Sequence, residues 1–182
     1  PNSTSTAVAN AGTAKVDGVE MEANFRISDA FSVDVNGSYI NARFTDYLAP
    51  ANPALNTAPA RLQLKGNLLS NAPKFTARLG AQYEVPAFGG TLTARAEAFF
   101  SSRVYFTVYN DLFNSLKPYD LEKASLRWEA DGGRWFLSAY VNNIANKTVG
   151  AASGVRTATV GRLIAVDLMP PRTYGIGAGI KF

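Results

Sequence analysis

The 182-residue chain contains neither cysteine nor histidine. The lack of cysteine excludes disulfides and thiolate metal sites, and the lack of histidine removes the commonest general base and metal ligand. Ser-His-Asp hydrolysis and most zinc chemistry are therefore excluded. We expect no catalytic residue, no metal site and no cofactor, and we expect that the protein is not an enzyme.

Long apolar runs and concentrated charge are also missing. No stretch approaches the roughly 18 consecutive apolar residues of a membrane-spanning helix, so a place in a membrane would require a β-barrel. The net charge is +4, and the basic residues are scattered, so we expect no nucleic-acid partner. The chain starts without an initiating Met or a signal peptide, from which we expect a mature fragment or one part of a longer protein.

An alternation of residue types dominates the end of the chain. From Tyr174 to Phe182 apolar residues occupy every second position, and Gly175, Gly177 and Gly179 lie between them. A strand here has one apolar face and one nearly bare face. The glycines do not form a nucleotide-binding fingerprint because no helix follows them, and we expect a flat face packed near other backbone.

The same alternation recurs upstream and predicts an all-β chain of about seven antiparallel strands, preceded by a loop over residues 1–14. The predicted strands are residues 15–27, 31–44, 73–85, 91–105, 119–130, 134–144 and 171–182. Residues 121–123 break the alternation and predict a bulge. Short turns alternate with longer loops over residues 45–72, 106–118 and 145–170, which is the pattern of an outer-membrane barrel.

Aromatic residues on the apolar face mark both ends of the strands. Six lie beside short turns or the terminus: Phe25, Phe31, Tyr83, Trp128, Trp135 and Phe182. Four lie at the opposite ends: Tyr39, Phe75, Phe100 and Tyr174. In three strands the two aromatics are eight positions apart, which spans ~26 Å along a strand, or roughly 20 Å after a ~40° tilt. That depth is close to the ~25 Å apolar band of a bacterial barrel, so the pattern favours a membrane barrel over a soluble sheet.

The opposite face carries most of the charge. Its ionisable residues are Glu20, Glu22, Arg26, Asp34, Arg78, Glu84, Arg95, Glu97, Arg127 and Glu129. In a small closed barrel these side chains would crowd an interior that offers little water. The pattern therefore favours a wide barrel whose lumen holds water or an internal domain.

Three short segments and the terminal aromatic carry a family resemblance. They are residues 71–76 (Asn-Ala-Pro-Lys-Phe-Thr), 141–147 (Val-Asn-Asn-Ile-Ala-Asn-Lys) and 170–175 (Pro-Pro-Arg-Thr-Tyr-Gly), followed by Phe182. In that order they resemble the C-terminal third of a TonB-dependent outer-membrane receptor. The resemblance implies the last seven strands of a barrel of about 22 strands, filled by an N-terminal plug domain that is absent from residues 15–182.

What the resemblance implies about function is energised uptake, through TonB and the plug, of a scarce ligand such as a ferric siderophore. The ligand would be a metal chelate or a saccharide, and the location would be the bacterial cell outer membrane, in contact with its lipid and lipopolysaccharide. The barrel-assembly machinery would recognise the closing strand through Tyr174, Gly175, Ile180 and Phe182. The alternatives are a passive porin-like or structural outer-membrane barrel, and a soluble β-sandwich binding module.

Candidate site residues fall into two groups. Those expected to face the plug from the lumen are Arg78, Arg95, Glu97, Arg127 and Glu129, with Arg95 and Glu97 first. Those expected to bind ligand from the outer loops are Arg103, Tyr105, Tyr109, Tyr47 and Arg156, because rings mixed with cations suit ferric chelates and sugars. The plainer interpretations are solvation of the barrel wall and ordinary loop packing. For Asn142 and Asn143 the alternatives are binding of sugar hydroxyls and, as the plainer interpretation, a role in a turn.

Overall fold

The computed structural model of the chain describes residues 12–50, 52, 61–155 and 164–181. Its strands in chain order are β1 (Thr13–Arg26), β2 (Phe31–Asp46), β3 (Leu48–Pro50), β4 (Arg61–Gln63), β5 (Phe75–Pro86), β6 (Gly90–Ser101), β7 (Val104–Tyr105), β8 (Ser115–Leu116), β9 (Tyr119–Ala130), β10 (Trp135–Asn142), β11 (Gly150–Val155), β12 (Ile164–Leu168) and β13 (Thr173–Ile180). Short 3₁₀ helices cover Leu112–Asn114 and Asp131–Gly133. No helix within these ranges has the length and apolar character needed to cross a membrane.

Seven long strands form one antiparallel sheet in the order β1-β2-β5-β6-β9-β10-β13. Each of these strands therefore pairs with its neighbours along the chain, as in an up-and-down barrel wall. The predicted all-β fold of about seven antiparallel strands is confirmed. The sheet is unlike a β-sandwich, in which two sheets pack face to face around a core.

The three long connections contain hairpins that the sequence did not predict. β3 pairs with β4, β7 with β8, and β11 with β12, one pair in each connection. These strands have two to six residues, which is too short to show an alternating pattern. The prediction of a strand over residues 91–105 was too long, because β6 ends at Ser101 and residues 104–105 turn away to pair with β8.

The apolar face of the sheet is exposed. Leu79, in the middle of β5, is 53% exposed, and Ile176 on the closing strand is 91% exposed. Burial of such side chains normally stabilises a fold, so a continuous exposed apolar face indicates a surface that meets an apolar medium. This matches the lipid face predicted from the alternation.

Aromatic rings lie at both ends of that face. At the end with the long connections, Tyr39 pairs directly with Phe75, whose ring centroid is 5.9 Å from that of Phe100. At the end with the short turns, the ring centroids of Trp128 and Trp135 are 4.5 Å apart. Aromatic side chains prefer the interfaces between lipid and water, so the two groups mark the two borders of the apolar band.

The pattern of polarity inverts above the aromatic border on β2. Up to Tyr39 the odd-numbered positions are apolar, but beyond it the same face carries the polar residues Asn41 and Arg43. The opposite face carries Ala42 and Phe44 there, and both are buried. The β1–β2 register is continuous from Ala14↔Phe44 to Arg26↔Ser32, so no slip causes the inversion. The strands therefore leave the apolar band near Tyr39 and continue into water.

The same inversion explains the start of β9, where the prediction of a bulge was wrong. The β6–β9 ladder runs without a register shift from Gly90↔Ala130 to Ser101↔Tyr119. Because Ala98 pairs with Glu122 and Phe100 with Asp120, both carboxylates lie on the apolar side of the sheet, close to the aromatic border. The broken alternation reports a change of surroundings and not an extra residue.

The buried apolar residues of the described chain all lie in or beside the long connections. They are Ala42, Phe44, Ala49, Leu64 and Val149. A barrel wall one sheet thick has no room for a core of its own, so the side chains that pack against protein are those where loops fold over the strand ends. This end of the molecule resembles a small soluble domain in its packing.

Two of the three glycines of β13 are covered by aromatic rings from β10, and the third, Gly177, lies beside the Ser138 hydroxyl. A Cβ at Gly175 would lie 2.8 Å from the ring of Tyr140, and one at Gly179 would collide with Phe136. The expectation of a flat face near other backbone was therefore incomplete. Glycine is required here because the neighbouring strand lays its aromatic side chains across the closing strand.

Candidate functional site: the lumen face and the outer loops

A chain of ion pairs crosses the lumen face, by which we mean the face opposite the exposed apolar one. Arg95 Nη2 lies 2.7 Å from Asp34 Oδ1 and 2.8 Å from Glu97 Oε1. Lys123 Nζ contacts the second carboxylate oxygen of Glu97, and these two residues are direct cross-strand partners. Two cations and two carboxylates on β2, β6 and β9 therefore neutralise each other within the wall.

Gly80 provides the space in which this network forms. It lies on β5 between Asp34 and Glu97, which are its partners on the two neighbouring strands. A Cβ at position 80 would lie 2.5 Å from both carboxylate oxygens of Asp34 and 2.6 Å from Arg95 Nη2. These distances are below van der Waals contact, so the ion pair across β5 depends on the absence of a side chain there.

A second pair lies nearer the short turns. Arg127 Nη2 is 2.6 Å from Glu129 Oε2, and the guanidinium carbon lies 3.7 Å from the ring centroid of Phe136. The cation is thus held between a carboxylate and an aromatic face, a geometry that suits arginine better than lysine.

Arg78 differs from the other predicted lumen residues because it forms no ion pair within the described part of the chain. It is exposed and borders a cavity of about 430 Å³ on the upper lumen face. Phe99, Leu121 and Met169 contribute apolar surface to this cavity, and Asn142 contributes an amide. Glu97, Glu122 and Lys123 also line the cavity, so the arrangement combines a guanidinium that lacks an ion pair among the described residues with apolar walls and further charged groups.

All five predicted lumen residues lie on one face of the sheet, but they are not equivalent. The charge of Arg95 and Glu97, which the sequence ranked first for plug contact, is already paired inside the wall. Arg127 and Glu129 pair with each other. Arg78 shares the face and the charge of Arg95 and Arg127 but lacks an ion pair in the described part of the chain. The difference arises from the sheet register, which decides which residues of neighbouring strands lie side by side.

The outer loops, meaning the three long connections, are joined by asparagine side chains that sequence reasoning missed. Asn67 Nδ2 donates to the Val108 carbonyl at 2.9 Å. Asn110 accepts from the Leu68 amide at 2.7 Å and donates to the Leu68 carbonyl at 3.0 Å. Asn110 has a positive φ of 56°, which asparagine tolerates better than most residues. The sequence carries little signal for such long-range amide contacts, because each of the two residues in a contact looks by itself like an ordinary loop residue.

Two further hydrogen bonds extend this scaffold. Asn52 Nδ2 donates to Asp111 Oδ2 at 2.6 Å, again between the first and second outer loops. Ser153 Oγ on β11 lies 2.5 Å from Asn114 Oδ1, which joins the third loop to the second. Asn114 is buried, so its contact is shielded from water. The three outer loops therefore form one connected layer above the lumen.

Of the predicted ligand residues, Arg103 and Tyr105 lie at the base of this layer. Arg103 Nη1 donates to Ser115 Oγ at 2.8 Å. Tyr105 pairs with Ser115 in the β7–β8 hairpin, and its carbonyl accepts from the Asn71 amide at 2.8 Å. Both side chains are half-buried. The Arg103 side chain and the Tyr105 backbone are thus held by the scaffold.

Tyr47 and Tyr109 lie close together in the same layer. The ring centroid of Tyr47 is 4.8 Å from that of Phe44, and the Tyr109 hydroxyl donates to the Pro50 carbonyl at 3.1 Å. Burial raises the pKa of Tyr109, and the neighbouring Tyr47 and Asp111 raise it further. Tyr109 therefore stays neutral at physiological pH. Arg156, the fifth predicted ligand residue, lies outside the described residues.

Asn143 forms a turn, as the plainer interpretation of that residue held. It is 6% exposed, its Oδ1 accepts from the Lys147 amide at 2.8 Å, and its Nδ2 donates to the Lys147 carbonyl at 2.8 Å. This places Lys147 Nζ against the carboxylates of Asp120 and, at 2.8 Å, Glu122. Hydrogen bonds to Asp120 and then Glu122 raise the pKa of Lys147, so it is a cation at any physiological pH.

Three of the four residues expected to form an assembly signal are described. Tyr174 and Ile180 are exposed on the apolar face, and Gly175 lies under the Tyr140 ring on the lumen face. Phe182 lies outside the described residues. The closing strand therefore presents alternate apolar side chains to lipid while its other face is covered by protein.

Comparison with known protein families gives one match over most of the chain. The profile of the family described as TonB dependent receptor-like, beta-barrel, matches residues 1–144. The matched region contains β1 to β10, that is, six of the seven strands of the large sheet.

Two curated proteins are similar in sequence. The probable TonB-dependent siderophore receptor PiuA of Acinetobacter baumannii is 26% identical over 159 residues, covering 81% of this chain and 21% of that protein. The pesticin receptor of Yersinia pestis is 26% identical over 166 residues, covering 88% of this chain and 22% of that protein. The chain thus spans about a fifth of the length of these relatives.

Solved structures agree with the fold. The ferric yersiniabactin uptake receptor FyuA from Yersinia pestis superposes with a TM-score of 0.76 at 26% identity, covering 95% of this chain and 24% of that one. The siderophore receptor PiuA from Acinetobacter baumannii superposes with a TM-score of 0.68 at 21% identity, covering 91% and 21%. At that lower identity the second likeness concerns the fold alone.

Proposed function

The chain belongs to the TonB dependent receptor-like β-barrel family, and from this premise we propose that it is part of a receptor for the energised uptake of a ferric siderophore. The family consists of receptors and transporters that lie in the outer membrane of Gram-negative bacteria, which is the location of this chain. We propose further that the chain has no catalytic activity of its own. One relative is described as a probable siderophore receptor and a similar solved structure as a ferric yersiniabactin uptake receptor.

The observation that carries the proposal is the two-faced sheet. Its outer face is apolar and exposed between two aromatic borders, whereas its lumen face holds charged groups that neutralise one another across strands. A lumen lined in this way suits a wide barrel that contains another polar body, such as a plug domain, better than a small closed barrel. No feature of the described residues favours a passive porin, a structural barrel or a soluble binding module over this function.

Contacts with the plug would fall first on Arg78. Arg95 and Glu97 are already paired, and a plug carboxylate would have to compete with their partners. Arg78 is exposed and has no such competitor in the described chain, so a plug carboxylate or an anionic ligand gains a new charge-assisted hydrogen bond there. Arg127 and Glu129 would contribute the polar surface below it.

Ligand recognition would come from the outer loops, through Arg103, Tyr105, Tyr109, Tyr47 and Arg156. Their neighbours hold the described members of this set in place, which lowers the entropy lost on binding. A ferric chelate or a saccharide would meet rings and cations on a connected layer. The further partners in this proposal are TonB acting through the plug, the barrel-assembly machinery, and the lipid and lipopolysaccharide around the wall.

The proposal is tested by iron uptake in a strain that lacks the gene for the full-length receptor. Cells are supplied with radioactive iron bound to each of a panel of siderophores, with and without a protonophore that removes the energy source. Restoring the full-length receptor should restore uptake of at least one ferric siderophore, and the protonophore should abolish it. Uptake of an unrelated solute through a passive pore, insensitive to the protonophore, would instead indicate a porin.

A matched pair of variants connects this assay to the site. Arg103→Ala removes a cation near the loops, whereas Arg134→Ala removes one beside a short turn at the opposite end of the wall. We expect the first to raise the siderophore concentration needed for half-maximal uptake and the second to leave it unchanged. Equal effects would mean that the loops are not the recognition surface.

A further inference from the structure

Phe88 occupies an unusual place in the short turn between β5 and β6. The Ala87 amide donates to the Gly90 carbonyl at 2.8 Å, and the two residues between them have positive φ angles, 54° for Phe88 and 69° for Gly89. This is a two-residue hairpin turn of the type that requires left-handed backbone at both central positions. Such turns favour asparagine, aspartate or glycine at the first of these positions.

A phenylalanine in this position carries two costs at once. Its bulky side chain disfavours the left-handed conformation, and its ring is 91% exposed, so no protein contact offsets the strain. Strain of this kind persists when the surroundings compensate for it, and it often marks a functional position. Any contact that offsets this strain therefore comes from outside the described chain.

The position of the turn indicates what that partner is. Trp128 Nε1 donates to the carbonyl of Ala87 at 2.7 Å, and Trp128 packs against Trp135 in the aromatic border of the lipid face. The Asp131 amide donates to the Gly89 carbonyl at 3.1 Å, which ties the turn to the neighbouring one. Phe88 is thus fixed one residue away from the aromatic border, at the level where lipid headgroups begin.

We propose that Phe88 is a lipid anchor, whose ring inserts among the phospholipid headgroups of the leaflet that surrounds the short turns. The nearby turn at residues 27–30 also exposes an apolar side chain, Ile27, whereas the turn at Asp131–Gly133 exposes none. The anchor extends the interface of the lipid face below the border formed by Trp128 and Trp135. Its occupant is a phospholipid surface and not a protein.

The direct test places a fluorine reporter on the ring in the full-length receptor. Phe88 is replaced by trifluoromethylphenylalanine, and the receptor is reconstituted in vesicles of phosphatidylethanolamine and phosphatidylglycerol. Fluorine relaxation is measured with a nitroxide on the lipid headgroup and, separately, with a water-soluble gadolinium chelate. Phe25 on the lipid face and Phe113 on an outer loop carry the same reporter as lipid and water controls.

We expect the nitroxide to relax the reporter at position 88 several-fold more strongly than the reporter at position 113, and the gadolinium chelate to do the reverse. Relaxation by gadolinium equal to that at position 113 would overturn the proposal. A reporter shielded from both agents would also overturn it, because the ring would then be covered by the plug or by another protein.

A pair of substitutions separates anchoring from turn conformation. Phe88→Asn relieves the strained backbone but removes the ring, whereas Phe88→Trp keeps an aromatic group. If the ring is an anchor, the receptor with Phe88→Asn unfolds in vesicles at lower denaturant than the wild type, and Phe88→Trp restores the midpoint. If Phe88→Asn raises the midpoint while Gly132→Asn in the adjacent turn does not, turn strain dominates and the anchor is refuted.

Discussion

Replacing Leu79 by arginine tests the orientation of the sheet more directly than any other single change. Leu79 lies four positions from Phe75 and four from Tyr83, which is ~13 Å from each along the strand. After the strand tilt is taken into account, it lies ~10 Å inside each border of the apolar band. Its side chain is 53% exposed on the apolar face. An arginine at this depth should lower the free energy of unfolding by roughly 2–4 kcal/mol. That corresponds to a roughly 30- to 1,000-fold smaller folding equilibrium constant.

The adjacent residue provides the matched control. Arg78 faces the lumen and has no ion-pair partner in the described chain, so Arg78→Leu removes a solvated charge and should cost less than about 1 kcal/mol. Both variants are made in the full-length receptor, refolded into phospholipid vesicles, and unfolded with guanidinium while tryptophan fluorescence is recorded. The two midpoints are compared with the wild type at equal slope.

The structure predicts that Leu79→Arg lowers the free energy of unfolding more than Arg78→Leu does. A larger loss for Leu79→Arg means that β5 turns its odd positions to lipid, as the exposed apolar face indicates. Equal losses would remove the distinction between the faces, and a larger loss for Arg78→Leu would exchange them. In either case the assignment of the lumen face would be wrong. The ion-pair network could then no longer be counted as part of the site.

Three further changes address the network, the loops and their pH dependence. Gly80→Ala should destabilise the receptor by about 1–3 kcal/mol because the new methyl group meets the Asp34 carboxylate, whereas Gly37→Ala, whose Cβ meets only one atom at 3.9 Å, should be nearly neutral in the same unfolding assay. Asn110→Ala should cost about 1–3 kcal/mol locally by removing both hydrogen bonds to Leu68, seen as faster amide exchange and proteolysis of the outer loops while the wall is unchanged. Because the pKa of Tyr109 is raised above 10.0, its contribution to loop stability should be complete below pH 10 and lost as pH rises through the raised value. Loop proteolysis should therefore accelerate above pH 10, and a Tyr109→Phe variant should lack this added acceleration.

The wall strands could be predicted because their environment repeats. A strand between lipid and a polar lumen alternates at every residue, and aromatic residues mark the depth at which lipid ends, so both signals are local in sequence. It was not predictable in this way that Arg95 forms ion pairs and that Arg78 forms none within the described chain. Ion pairs depend on which residues of three neighbouring strands lie side by side, and two residues of similar charge and face can be paired or free according to register.

The mistaken prediction of a bulge at the start of β9 has a physical cause. Above Tyr39 on β2 and at the start of β9 the strands leave lipid, and the polar and apolar positions exchange faces without a shift in register. Sequence reasoning that assumes one environment along a strand reads this exchange as a bulge. The asparagine contacts of the outer loops were missed for a different reason, since Asn110 and Leu68 are 42 positions apart and neither shows its partner locally.

The location of the buried residues bears on how the receptor would select its ligand. In the described chain the apolar core lies under the outer loops, where Phe44, Ala49 and Leu64 pack at the strand ends, and amide hydrogen bonds join one loop to the next. A loop layer with its own core resists deformation, so its surface is shaped before a ligand arrives. Specificity in this part of the barrel would then reside in side chains such as Arg103 and Tyr109, held on a preformed surface.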